Sequence, residues 1–146
     1  MDLDVDVESI AGKSIREIFE HEGEKAFRDL ETTCLGRVSE RTGEVVALGG
    51  GAILREHNRD LINGSGICIW LDAEAETLSN RIYGDESSQQ RRPALTELGH
   101  LDEILQLLAS RKPLYQAVSQ HRIDSSNMPP TAIADQILTL VKLNGK

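Results

Sequence analysis

Three consecutive glycines, Gly49, Gly50 and Gly51, stand directly behind the apolar run Val45-Val46-Ala47-Leu48. Residues without side chains leave backbone N–H groups bare and let a ligand approach the main chain closely. Taken alone, a triple glycine is equally well explained as a tight turn from strand to helix. Asp2 and Asp4 form an Asp-x-Asp pair whose carboxylates share a face if the segment is extended. Two acids side by side suit a metal ion on one and a hydroxyl on the other, although an acidic run is more commonly a solvated one. Arg28, Arg92 and Arg111 carry the rigid guanidinium fork that pairs with a carboxylate or phosphate through two hydrogen bonds. Individually each reads as a surface arginine. Arg92 in the polar Arg91-Arg92-Pro93 stretch and Arg111 in Arg111-Lys112-Pro113-Leu114-Tyr115 have the less ordinary settings.

Gly12-Lys13-Ser14 has the ending of a Walker A phosphate loop. The rest of that loop is lacking. Five positions before Gly12 the loop needs a second glycine, and Val7 stands there. A β-branched residue is poorly suited to the positive φ of a phosphate cradle. No apolar strand leads into it either, so the segment reads as a link between helices with Ser14 as N-cap.

The elements that must position these residues follow from apolar periodicity. Ser14 and Glu17 make a capping-box pattern, and Ile15, Ile18 and Phe19 continue at helical spacing until Gly23. Phe27, Leu30, Cys34 and Val38 share one face of a second helix. Val45 to Leu48 and Ile67 to Leu71 are runs apolar on both faces, as expected of strands covered by helices in a parallel sheet. Helices are expected from Arg55 to Asn63, closed by Gly64, and from Glu74 to Tyr83. Gly84 to Pro93 contains no apolar residue and reads as a surface loop. A helix from Leu101 to Val118, burying Leu101, Ile104, Leu105 and Leu108 and bent at Pro113, leads to a short strand at His121 to Asp124. A last helix from Thr131 to Leu143 completes an α/β layered pattern. In such sheets ligands sit beyond the carboxyl ends of the strands, which directs attention to the three glycines and to Asp72.

A chain of 146 residues has room for one sizeable core, so a single domain is expected. A net charge of −8 argues against general nucleic-acid affinity, and arginines meeting an anionic ligand must be gathered locally against that charge. No stretch approaches the roughly 20 apolar residues of a membrane span. The acidic start differs from a basic signal peptide, so a cytoplasmic address is expected. Cys34 and Cys68 have no companion at metal-ligand spacing and read as reduced thiols in apolar surroundings.

In order, Asp2-x-Asp4, Gly12-Lys13-Ser14-Ile15 with Glu17-Ile18-Phe19, Glu22-Gly23-Glu24, Phe27-Arg28-x-x-Glu31, Gly49-Gly50-Gly51, Arg92-Pro93 and Arg111-x-Pro113-Leu114-Tyr115 resemble the shikimate kinase family. The match runs from about residue 2 to the closing helix. Each motif is weak alone; the ordered set is specific. The resemblance implies a three-layer α/β/α, P-loop-kinase-like fold with a short parallel sheet, working as a monomer, and transfer of the ATP γ-phosphoryl group to the 3-hydroxyl of shikimate. It implies that Asp4 receives the substrate's hydroxyls, that Asp2 lies near Mg²⁺, and that Arg28 and Arg111 clamp the carboxylate with help from Gly49, Gly50 and Gly51. It further implies that Arg92 closes over the phosphates in a lid at about 84–98. Arg81, facing the Ser125 to Pro130 segment, would stack on adenine. The lid is longer than in many relatives, and Ala94 stands where a leucine often follows Arg-Pro.

Family members open with a strand, the Walker A loop and a helix, a unit of about 30 residues. This sequence begins beyond that unit, so the first strand is expected to be missing and ATP turnover impaired. Two alternatives follow from the same residues: a non-catalytic module that holds shikimate or a similar hydroxy acid, and a related kinase acting on gluconate.

Overall fold

The structure, a computed structural model, describes residues 1–84 and 100–144. The expected lid at about 84–98, and Arg92 with it, lies outside the described residues apart from Gly84. Helix α1 spans Leu3–Ala11 and α2 spans Ile15–Ser39; a 3-10 turn at Ala52–Leu54 then leads into α3, Glu56–Ser65. Strand β1, Ile69–Asp72, is followed by α4, Ala75–Gly84. The described chain ends with α5, His100–Val118, β2, His121–Asp124, and α6, Pro130–Asn144.

Asp2 and Asp4 do not share an extended segment. Asp2 is extended (φ −108°, ψ 122°), but the helix starts at Leu3, so Asp4 sits in its first turn. The reason is local: the Asp2 carboxylate accepts the Asp4 N–H at 2.9 Å and caps the helix, and the acids Asp4 and Asp6 favour its positive end. Leu3 and Val7, one turn apart, are fully buried and anchor α1 in the core. Gly12 closes α1 at φ 67° in the left-handed region, donating to Glu8 O at 2.9 Å.

Gly12-Lys13-Ser14 is a link between helices, as its residues suggested. Ser14 N-caps α2 with the full capping box: its Oγ accepts from Glu17 N at 3.3 Å, and Ser14 N donates to Glu17 Oε2 at 2.8 Å. Lys13 pairs with Glu22. Hydrogen bonds from the Ser14 side chain and backbone hold the Glu17 carboxyl below its ordinary range. A depressed carboxylate stabilises the fold above the ordinary carboxylate range and loses that contribution as acid protonates it. Ser14→Ala is therefore expected to cost about 1 kcal/mol at neutral pH, and less in strong acid. Urea unfolding at the two pH values checks this; an equal cost at both would remove Glu17 from the account.

Gly23 interrupts α2 at φ 81°, ψ 173°, which no ordinary residue adopts without strain, and separates the two helical segments expected from periodicity. Phe19 and Phe27 meet across this break, with ring centroids 4.9 Å apart. They join a core built from α1, α2, Ile53, Ile62 and Val118.

Strands β1 and β2 pair in parallel, Ile69 opposite His121 through Asp72 opposite Asp124. The run from Val45 to Leu48 forms no named strand among the described residues. Ala47 makes one parallel bridge to Asp2, accepting from Leu3 N at 3.0 Å and donating to Met1 O at 2.8 Å. With one bridge on one edge, the run is not covered on both faces: Val45 is 81% exposed, while Val46 and Leu48 lie half-buried against the core. Strand β1 likewise buries Trp70 and leaves Leu71 exposed. In α5, Ile104 is buried and Leu108 half-buried, but Leu101 and Leu105 are exposed, because the helix packs through a narrower face than four apolar positions implied. Both cysteines are free, Cys34 buried and Cys68 half-buried. Burial pushes the Cys34 thiol up to about 11 and raises that of Cys68, so both stay protonated and unreactive near neutrality.

Candidate active site

The glycine turn is where side chains from three helices meet. A methyl group placed on Gly49 would come within 2.9 Å of Asp4 Oδ1 from α1 and 3.5 Å of Glu31 Oε1 from α2. One on Gly50 would meet Tyr115 Oη at 3.1 Å and Arg111 Nη1 at 3.7 Å, both from α5. One on Gly51 would collide with the Arg28 guanidinium, 2.5 Å from Nη2 and 2.7 Å from Cζ. Glycine is required here by crowding, since each missing side chain is replaced by a charged or polar group. Asp4, Arg28, Gly49, Gly50, Gly51 and Arg111, singled out separately in the sequence, thus surround one short stretch of backbone.

The turn is held from both sides. Tyr115 Oη donates to Gly50 O at 2.7 Å, and Arg111 Nη1 donates to the same carbonyl at 3.3 Å. Because the peptide is trans, pinning that carbonyl also fixes the direction of the Gly51 N–H. Among the described residues the N–H groups of Gly50 and Gly51 meet no acceptor. Beyond the turn, Arg55 donates to Arg28 O at 3.0 Å, Thr32 Oγ1 at 3.1 Å and Asp29 Oδ1 at 2.7 Å, tying its exit to α2. Bonds from Lys25 and then Arg55 hold the Asp29 carboxyl below its usual range. Asn58, fully buried, donates to Ala52 O at 2.9 Å and secures the 3-10 turn.

Arg28 lies over the Phe27 ring, 4.9 Å from its centroid, and donates to Glu31 Oε2 at 2.8 Å and to Glu24 Oε1 at 3.3 Å. Arg28, Arg55 and Arg111 gather around the turn although the chain is acidic overall, and carboxylates gather with them: Arg28 is paired with Glu24 and Glu31, and Arg55 with Asp29. Trp70 stacks on Tyr115 at 5.6 Å, linking this site to the sheet.

Glu31 and Tyr115 belong to the sequence motifs but were not among the expected site residues. Their signal was helical spacing: Glu31 follows Arg28 by three, and Tyr115 follows Arg111 by four, so each shares a face with its arginine. Arg81 and Ser125 are brought together elsewhere, at the carboxyl ends of the strands. Arg81 Nη2 donates to Ser125 O at 2.6 Å and Nη1 to Ser125 Oγ at 3.1 Å, so the two sides proposed to flank a base touch directly. Asp2 is exposed and occupied as a helix cap, and the described residues contain no group of three His, Cys, Asp or Glu that could hold a metal ion.

Helices around a short parallel sheet, together with the superposition on solved relatives, define a P-loop-kinase-like α/β fold. The chain belongs to the shikimate kinase family, whose members are ATP-dependent kinases: the family model described as shikimate kinase matches residues 1–142. The shikimate kinase of Rhodopirellula baltica is 47% identical over 138 residues, covering 94% of this chain and 74% of that protein. That of Symbiobacterium thermophilum is 35% identical over 146 residues, covering 100% of this chain and 83% of that protein. A solved structure, shikimate kinase from Acinetobacter baumannii in complex with shikimate, superposes with a TM-score of 0.90 at 34% identity, covering 98% of this chain and 78% of that one. Among the described residues no helix is long and apolar enough to cross a membrane.

Proposed function

We propose that this chain serves phosphoryl transfer from ATP to the 3-hydroxyl of shikimate, and that the glycine turn is its acceptor site. The observation that carries this reading is the convergence of Asp4, Arg28 and Arg111 on Gly49-Gly50-Gly51, in a chain that superposes on a shikimate-bound relative. A carboxylate docked at Gly51 meets the Arg28 fork and the backbone N–H groups, with Arg111 at the neighbouring peptide. The hydroxyls then fall toward Asp4 beside Gly49. There the acceptor hydroxyl is oriented and its proton directed to the Asp4 carboxylate as its oxygen bonds to the γ-phosphorus and the bond to the β–γ bridging oxygen breaks. The cationic groups hold the acceptor; the lid arginine, Arg92, is the residue we assign to the transferring phosphoryl.

Mg²⁺ keeps several waters and takes one or two carboxylates together with substrate phosphates. Asp2 is exposed and caps α1 through Oδ1, so only its other carboxylate oxygen would be offered to the ion, which would supply charge neutralisation at the phosphates. Arg81 with Ser125 is the proposed adenine edge. This reading includes a cytoplasmic, monomeric working form and one domain over 1–146.

The acceptor is tested by titrating shikimate or gluconate into the chain and comparing their affinities by calorimetry, a readout that needs no turnover. Shikimate should be preferred by roughly tenfold or more, because a site built for its polar groups is left unpaired by a misfit; preference for gluconate would overturn the assignment. Arg111→Lys is expected to weaken shikimate binding on the order of tenfold, since a point charge replaces the fork that reaches Gly50 O. Calorimetric affinity equal to that of the parent chain would remove Arg111 from the clamp.

A further inference from the structure

Glu31 is a buried charged group that the proposed mechanism does not use. It is 1% exposed, and its two oxygens have different fates. Oε2 accepts from Arg28 Nη1 at 2.8 Å; Oε1 is buried with no hydrogen-bond partner. That orphan oxygen lies beside the glycine turn, 3.5 Å from the position a Gly49 Cβ would take, and Asp4 Oδ1 lies 2.9 Å from the same point. A buried acceptor without a donor is costly, and a carboxylic acid would turn it into a donor.

We propose that Glu31 is a proton-linked positioning residue: it takes up a proton when an acceptor's carboxylate docks on Arg28, and so couples acceptor affinity to pH. The inference rests on the acceptor-site reading above. Arg28 already serves Glu31 and Glu24. A docked carboxylate asks the same guanidinium to serve a third anion, with the Asp4 carboxylate beside it. Placing a proton on Glu31 Oε1 removes one negative charge from this cluster, releases Arg28 for the ligand and gives the orphan oxygen a hydrogen to offer.

The charged groups facing Glu31 are Arg28 on its own helix, Asp4 from α1 and Arg55 from the exit of the glycine turn. Burial, opposed by the Arg28 bond and charge and aided by Asp4, already raises the Glu31 carboxyl above its ordinary range. A ligand carboxylate adds a negative charge and competes for Arg28, and both effects push in the same direction. Binding therefore draws a proton in, and acidification strengthens binding for as long as the ligand's carboxylate stays ionised.

Calorimetric titration of the chain with shikimate at mildly acid pH, in two buffers of different ionisation enthalpy, reads the proton directly. The expected result is uptake of a sizeable fraction of a proton per shikimate bound and affinity that rises several-fold on acidification. Glu31→Gln is expected to abolish both dependences. In ¹³C-labelled parent chain the Glu31 carboxyl resonance should move toward its protonated position when shikimate is added, a readout that needs no variant. Shikimate binding with buffer-independent heat, an unmoved Glu31 resonance, or uptake unchanged in Glu31→Gln would each overturn the inference and leave the acceptor site standing. Absence of shikimate binding would overturn the acceptor reading itself, and this inference with it.

Discussion

Arg28→Ala is expected to destabilise the chain by about 3–5 kcal/mol at neutral pH, far more than loss of a surface arginine. The cause is the partner left behind. Glu31 is fully buried and Arg28 is the donor to its Oε2, so truncation strands a carboxylate with neither oxygen paired. Without Arg28, the influence that holds the Glu31 carboxyl down is gone and burial raises it further. A carboxyl raised in the folded state contributes stability that is present below its unfolded value and lost as pH rises through the folded one. The deficit should accordingly shrink in mild acid, and Arg28→Ala combined with Glu31→Gln should recover much of it. Urea unfolding at two pH values measures both effects. A loss below about 1 kcal/mol that ignores pH would mean the pair is screened like a surface ion pair.

Gly51→Ala should weigh the other way, disturbing the site more than the fold. The backbone at Gly51 (φ −97°, ψ −8°) suits any residue, so no conformational strain arises. The added methyl meets the flexible end of Arg28, 2.7 Å from Cζ, and that end must move. A hydrogen bond to a charged group contributes about 1.5–3 kcal/mol, so displacing the clamp is expected to lower shikimate affinity on the order of tenfold or more. The melting temperature should fall less than in Arg28→Ala, because the guanidinium is shifted and not removed and stays within reach of Glu31. Calorimetry and a thermal melt on one preparation decide the matter: unchanged affinity would show that Arg28 does not hold the ligand where the turn places it.

Much of this site was legible before the fold was. The ordered set from Asp2 to Tyr115 carried the family, and Asp4, Arg28 and Arg111 of that set meet in space at Gly49, Gly50 and Gly51. What was not legible depended on distance across the chain. Nothing in the sequence says that Glu31 keeps one oxygen unpaired beside Asp4, because an orphan acceptor is a property of tertiary packing. Tyr115 was visible as a motif residue, but its bond to Gly50 O joins positions 65 apart.

Errors in the fold have equally local causes. The Asp-x-Asp pair looked extended, yet the Asp2 cap and the buried Leu3 and Val7 make the segment helical from Leu3. Val45 to Leu48 had the composition of a covered strand, which fixes what it can pair with and not whether both edges are paired. Leu101 and Leu105 fit the helical period of α5 but fall outside the face that packs.

The central claim is that a carboxylate-bearing cyclic acceptor docks at Gly49-Gly50-Gly51. Titrating shikimate into ¹⁵N-labelled chain tests it residue by residue. The expected result is saturable movement of the Gly50 and Gly51 amides together with the Arg28 and Arg111 side-chain resonances. Movement confined elsewhere, for instance to the shallow depression between Arg122, Asp135 and Thr139, would contradict it.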